Sequence, residues 1–187
     1  CTFSGNASGS SGGAGIHCKN ASLTLSNCLI WNNDTFNHNL ALASLGLGGN
    51  ATLTVSYSLI QGWFPAGTGN LDGITPAAQS NYPNFVTPLN PAYATSSTST
   101  SGDFRIGTCS PAINRGNNTG APSNDLFGNN RPFGSAVDIG IHELQAAPDA
   151  TPPTIGCPPN QSVVLNGSSY TVTDFRGLST ASDNCAS

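Results

Sequence analysis

The chain has 187 residues, enough to bury a core in one domain with room for a small second one. Lys and Arg number only 5 against 9 Asp and Glu, a formal net charge of −4. With so few cations, and none clustered, nucleic acid is excluded as a partner, because phosphate contacts need grouped Lys or Arg.

Residues 1–62 carry an internal repeat. The stretch NASLTLSNCLIWN from Asn20 matches NATLTVSYSLIQG from Asn50, 30 positions on, and CTFSGN from Cys1 matches CLIWNN from Cys28, 27 positions on. A repeat of this length made of short β segments predicts a chain that winds into stacked coils. Each copy contains an alternating segment (Leu23-Thr24-Leu25, Leu53-Thr54-Val55), a polar step at Ser26 or Ser56, and a second strand (Leu29-Ile30-Trp31, Leu59-Ile60). The glycine-rich stretches GSSGGAG and GLGGN between them supply corners. Equivalent residues then stack about 4.8 Å apart. The expected ladders are Leu23 on Leu53, Leu25 on Val55, Ile30 on Ile60, and Phe3 on Ile30.

Residues 63–101 read as a side loop rich in Pro, Asn, Ser and Thr that drapes over the coils and ends in ATSSTSTSG. Short strands return over 102–144 as DFRI, SPAIN and VDIGIHEL. These complete a first domain, residues 1–146. QAAPDATPP then marks a linker at 147–153, and SVVLN and YTVTDF alternate again within a small β unit at 154–187. The fold class expected is all-β. No run of about 18 apolar residues is present, so no membrane span is expected.

Six cysteines and no methionine fit a secreted, oxidising setting, extracellular or at the cell surface. Asn-x-Ser/Thr triplets start at Asn6, Asn20, Asn33, Asn50, Asn117, Asn160 and Asn166. On the order of four or five arise by chance in such a composition, so placement carries the signal. Asn20 and Asn50 share one repeat position and Asn6 and Asn33 another, which either aligns glycans in columns or stacks asparagines in turns and ladders. Cys1 and Cys28 fall at equivalent positions on adjacent coils, where they either bridge or stand unpaired in a ladder continued by Ser58. Nothing sets the pairing of Cys18 or Cys109.

Chemistry on a coil face would need two carboxylates about a bond, or Ca²⁺ with a Lys or Arg base. The repeats hold only Asp34, Lys19, His17 and His38, with no second carboxylate before Asp72, too few for a catalytic site. Asp125, Arg131, Asp138, His142 and Glu143 sit together in the closing motif. Asp125 and Asp138 are expected to fasten turns or to pair with Arg131. With loop carbonyls, the same two offer an oxygen set for Ca²⁺; no other cofactor is expected. Trp31 and Trp63 make a sugar platform if both are exposed; otherwise Trp31 covers core under the loop.

GGAGIHCKNASLTLSNCLIWNN resembles the repeats of right-handed parallel β-helix proteins. NYPNFVTP, GDFRIGTCSPAINRGNN and DLFGNNRPFGSAVDIGIHE, in that order, resemble the C-terminal portion of the bacterial choice-of-anchor Q β-helix proteins. That likeness spans roughly residues 1–144. DATPPTIGCPPNQSV followed by ASDNC resembles the opening half of a hyalin-repeat (HYR) module, an immunoglobulin-like unit of extracellular adhesion proteins. The HYR resemblance implies a Cys157–Cys185 disulfide. The fold expected is thus a right-handed parallel β-helix followed by a partial immunoglobulin-like segment. The function expected is non-enzymatic, structural or adhesive. A coil that begins partway and a sandwich that stops early further suggest either a fragment or a glycosylated subunit completed by neighbouring copies in a head-to-tail filament. A polysaccharide lyase or hydrolase, or a carbohydrate-binding module, is the alternative.

Overall fold

The computed structural model describes residues 1–8, 14–35, 45–74, 82–89, 102–157 and 180–185. These contain strands and no helix, so the chain is all-β with small sheets. No helix among them is long and apolar enough to cross a membrane. The chain divides into two compact units, Cys1–Pro148 and Asp149–Ala186.

In the first unit the repeat dictates the pairing. Strands β1 (Thr2–Ser4), β5 (Leu29–Trp31) and β9 (Leu59–Ile60) form one parallel three-stranded sheet. β2 (Ala7–Ser8) pairs parallel with β6 (Asp34–Thr35), β3 (Ile16–Lys19) with β7 (Leu45–Gly48), and β4 (Ser22–Ser26) with β8 (Thr52–Ser56). Leu23 lies against Leu53, Leu25 against Val55, Ile30 against Ile60 and Phe3 against Ile30, the registers that the repeat predicts. Slippage by one residue would turn every apolar side chain to the opposite face, so the pattern pins the register.

The two kinds of repeat strand are buried differently. In β4 and β8 apolar and polar residues alternate, so Leu25 and Val55 turn into the core while Thr24 and Thr54 stay in solvent. In β5 the run Leu29-Ile30-Trp31 is unbroken and buried throughout. Ile30 and Ile60 pack with Leu25, Cys28 and Val55 on one side. Leu29, Trp31 and Leu59 face the other side, where Phe85, Ile106, Ala112, Ile113 and Ile139 cover them. A continuous apolar run is the mark of a strand buried on both faces.

The covering residues come from later in the chain. β10 (Phe85–Thr87) pairs antiparallel with β11 (Asp103–Ile106), and the Phe85 and Phe104 rings meet edge-on at 5.3 Å between centroids. The 102–144 segment therefore clads the flank of the repeat strands. Within the side loop, residues 63–73 lie along the edge of β8 and β9, while Tyr82 and Phe85 pack on the side of Leu29, Trp31 and Leu59.

Corners between strands take the left-handed conformation. Gly5, Asn32 and Gly62, at equivalent repeat positions, have φ of 72°, 53° and 73°. Asn tolerates this region through its short polar side chain, and glycine through having none. In the second unit β12 (Thr154–Gly156) pairs antiparallel with β13 (Thr180–Ser182), both exposed.

Candidate functional site

The 110–144 segment is rich in Pro, Gly and Asn and forms almost no ladder, so its buried N–H groups need partners other than strands. Three carboxylates supply them. Asp125 Oδ1 accepts from the backbone N of Phe127 and of Asn129, each at 2.8 Å. Its Oδ2 accepts from Asn129 Nδ2 at 2.9 Å and Glu143 N at 2.8 Å. Asp138 accepts from Asn114 N and Leu144 N, one on each oxygen, both at 2.7 Å. Glu143 Oε1 accepts from Phe133 N at 2.8 Å, and its Oε2 from Arg131 Nε and Asp138 N, both at 2.9 Å.

Asp125 thus fastens a turn, as its position suggests, but Arg131 forms its ion pair with Glu143 instead of with either aspartate. Both partners are almost fully buried, with side-chain exposures of 6% and 1%. Arg131 Nη2 also donates to the Asp138 carbonyl. Glu143 Oε2 thereby bridges the guanidinium and the Asp138 N–H. Beside them His142 is buried, its Nδ1 accepting from Ile106 N at 3.2 Å and its ring edge-on to Phe127 at 5.6 Å.

The electrostatics follow from burial. Desolvation pushes the Asp138 carboxyl up to about 6, aided by the Glu143 charge and opposed by its N–H donors and by Arg131. Burial also works to raise Asp125, but N–H bonds from Glu143, Asn129 and Phe127 outweigh it and hold that carboxyl below its ordinary value. Burial lowers His142 against the pull of Asp125. All six carboxylate oxygens of the knot therefore already accept hydrogen bonds from the chain itself. A Ca²⁺ ion at Asp125 and Asp138 would share oxygens that the chain already engages, and the described residues include no cluster of three or more His, Cys, Asp or Glu arranged to hold a metal. Above the knot lies an open depression of about 250 Å³, with Asp125, Leu126, Arg131 and Ile141 in its wall.

The knot is tied to the repeats through Asn27. Its Oδ1 accepts from Asn117 N at 2.7 Å, its Nδ2 donates to Asn117 O at 2.9 Å, and its carbonyl accepts from Gly140 N at 3.1 Å. The left-handed backbone of Asn27, φ 52°, turns the side chain toward the 117 loop. Sequence reasoning passed over Asn27; the signal was an Asn, a residue that tolerates the left-handed region, directly after the polar step at Ser26, and Tyr57 at the same place in the next copy is also at positive φ.

The remaining sequence-predicted residues are placed as follows. Trp31 is 2% exposed, packed under Tyr82 with ring centroids 5.0 Å apart, and Trp63 belongs to the other core cluster, so the two form no sugar platform. Trp31 is core because an unbroken apolar strand has no solvent face. Cys1, Cys18, Cys28 and Cys157 are free thiols. Cys1 and Cys28 are not bridged: in-register neighbours of a parallel pair project side by side, and Cys28 turns inward to donate to Ser26 O at 3.2 Å. The ladder continues at Ser58, whose Oγ accepts from Cys28 N at 3.1 Å and donates to Ser56 O at 2.8 Å.

The Cys157–Cys185 bridge is not formed either, Cys185 being disulfide-bonded while Cys157 is free. The antiparallel register, Gly156 opposite Thr180 and Thr154 opposite Ser182, sends Cys157 off one end of the ladder and Cys185 off the other. Extended chain would separate them by about 20 Å, well beyond the roughly 7 Å limit between Cα atoms.

Asn33 is fully buried, with Nδ2 donating to Phe3 O at 2.8 Å and Oδ1 accepting from Asn6 N and Nδ2, so it has no room for a glycan in the folded chain. Asn6, Asn20 and Asn50 are exposed, and Asn20 Oδ1 accepts from Asn50 N at 3.1 Å across the repeat. Asn117 closes a turn by accepting from Thr119 N at 3.0 Å. Asn160, Asn166 and His38 lie outside the described residues, as does the side chain of Asp34.

Comparison of the chain with models of known families, with characterised proteins and with solved structures gave no match in any of the three.

Proposed function

We propose that this chain is a non-enzymatic extracellular structural or adhesive protein. Its first unit is a right-handed parallel β-helix of the choice-of-anchor Q kind and its second the opening part of an HYR module. The β-helix reading is supported by parallel, in-register pairing between residues one repeat apart, and by hydrogen bonds that recur at separations of 27 and 30 residues. The single observation that carries the non-enzymatic reading is the knot. Its acids are engaged by backbone donors, which suits carboxylates that template a loop and not ones that reach a substrate. The accessible sequons, Asn6, Asn20 and Asn50, are the glycan sites this reading favours, and glycans are its expected surface chemistry.

A filament formed by stacking coils on β8 and β9 is not part of the proposal, since that edge is already paired within the chain. The test is fractionation of native material together with a turnover screen. Recovery with the cell surface or medium, and no release of reducing or unsaturated ends from a polysaccharide panel, is expected. Turnover abolished by Asp138→Asn and Glu143→Gln in variants that keep the fold would overturn the reading in favour of a lyase or hydrolase.

A further inference from the structure

A buried backbone N–H needs an acceptor, and an acceptor supplied by a titratable ring is lost when that ring takes up a proton. Ile106 and His142 make such a pair. Ile106 N donates to His142 Nδ1 at 3.2 Å, across 36 residues of sequence. Both residues are buried, at 3% and 9% exposure, so little water reaches the bond. An Nδ1 that accepts carries no hydrogen, which fixes the neutral imidazole with its hydrogen on Nε2.

The bond joins a cover to the segment behind it. β10 and β11 form a two-stranded sheet that is not laddered to the repeat strands. Phe85 pairs with Ile106, and Gly107 N donates to Asn84 O at 2.9 Å, so one edge of β11 is engaged by β10. Ile106 N leaves the other edge, because successive N–H groups of a strand point to opposite sides. His142 meets it there from the closing segment. The side chains of the Phe85–Ile106 pair belong to the layer over Leu29, Trp31 and Leu59, so the ring fastens that layer from outside.

Charged groups face His142 from two elements. β11 brings Arg105 and Asp103, the closing segment brings Asp125 and Glu143, and β10 carries no charge. Burial is the largest influence and, with Arg105, holds the ring neutral, while Asp125, Asp103 and Glu143 favour the cation. The closed form thus keeps the ring below its ordinary 6.5, and a fall in pH below that value favours a form in which the ring meets water. The repeat ladder has no such dependence. Its bonds between copies are made by backbone, Ser, Thr, Asn and Gln groups, none of which titrates in this range.

We infer that His142 is an acid-released latch: a proton on Nδ1 turns the acceptor into a second donor facing Ile106 N, and the β10–β11 cover then opens more often while the repeat ladder stays closed. Opening uncovers Leu29, Trp31 and Leu59. In acid the first unit would therefore present apolar surface on this flank.

Amide exchange of the full chain, read residue by residue by NMR and corrected for the intrinsic rate, tests this at about pH 7.5 and about pH 5. In wild type the protection of Ile106 N–H is expected to fall by about tenfold or more at the lower pH, and the buried indole N–H of Trp31 to exchange faster with it. Leu59 and Gln61, whose N–H groups bond to Cys28 O and Ile30 O, should keep their protection. His142→Asn, which offers an amide oxygen near the place of Nδ1 and does not titrate, should protect Ile106 at both pH values. Asp138→Asn removes the other group that titrates in this range and should leave the Ile106 fall in place; it carries the comparison with wild type should His142→Asn lose its fold. A ring ¹⁵N spectrum at the higher pH should show Nδ1 without hydrogen. Constant protection of Ile106 or of the Trp31 indole in wild type, an equal fall in folded His142→Asn, an equal fall at Leu59 and Gln61, loss of the fall in Asp138→Asn, or hydrogen on Nδ1 overturns the inference.

Discussion

The repeat strands and the 110–144 segment solve one problem, the satisfaction of buried backbone, in opposite ways. Between β4 and β8, and between β5 and β9, backbone N–H and C=O groups find their partners in the neighbouring copy of the repeat, and side chains are left to fill space. In the closing segment the chain turns too often for any ladder, so Asp125, Asp138 and Glu143 reach in and take the backbone donors themselves. The first arrangement tolerates substitution wherever volume is kept. The second does not, because each carboxylate serves two or more donors and removing it orphans them all.

This contrast is broken most strongly at the ion pair. Arg131→Met leaves Glu143 charged and buried without its cation, and a cost of about 3–5 kcal/mol is expected by denaturant unfolding. Thr24→Val, on the exposed face of β4, should change stability by less than about 0.5 kcal/mol in the same assay.

The next effect is set by pH. Asp138 has its carboxyl raised to about 6 from 3.8, so the fold takes up a proton that the unfolded chain does not. Its ionised form therefore costs stability above about pH 6, and that cost is relieved as pH falls from about 6 towards 4, by at most about 3 kcal/mol. His142 works the other way. Its value is lowered below 6.5, so the neutral imidazole's contribution is lost as pH falls from 6.5 through the folded value. The two overlap in wild type and separate in variants. The stability of wild type relative to Asp138→Asn should rise between about pH 7 and pH 5, and relative to His142→Gln it should fall. Parallel curves for wild type and Asp138→Asn would mean that Asp138 keeps an ordinary carboxyl.

How much could be read beforehand tracks the same division. The pairing of Leu23 with Leu53 and Ile30 with Ile60 was legible because a repeat writes its own register into the spacing. The burial of Trp31 was legible too, in the contrast between the unbroken LIW and the alternating SLTLS, though weighing tryptophans as a sugar platform looks only at residue type. The pairing of Arg131 with Glu143 was not. Arg131 had three acids within 12 residues of it, all three accept from backbone donors, and the choice among them depends on where the folded loop carries each carboxylate and not on spacing. Asn33 shows the limit of a motif: its triplet Asn33-Asp34-Thr35 is intact, while the amide it would glycosylate is tied to Phe3 inside the fold.

Asn27 joins the two regions and gives a finer test of the comparison. It contributes two separable things: a left-handed corner, φ 52°, that the repeat strands need, and a pair of hydrogen bonds to Asn117 that the closing segment needs. Asn27→Gly keeps the corner and loses the bonds, whereas Asn27→Ala loses both and adds backbone strain. If the repeat strands depend on the corner and the closing segment on the amide, the glycine variant should cost about 1–2 kcal/mol, with faster hydrogen exchange confined to Asn117 and its neighbours. The alanine variant should cost about 1 kcal/mol more and spread the faster exchange into β4 and β5. Equal costs would mean that the corner carries no strain. Faster exchange in β4 and β5 of the glycine variant would mean that the closing segment holds the repeats in register, reversing the order of dependence in which the ladder stands alone and the knot is fastened to it.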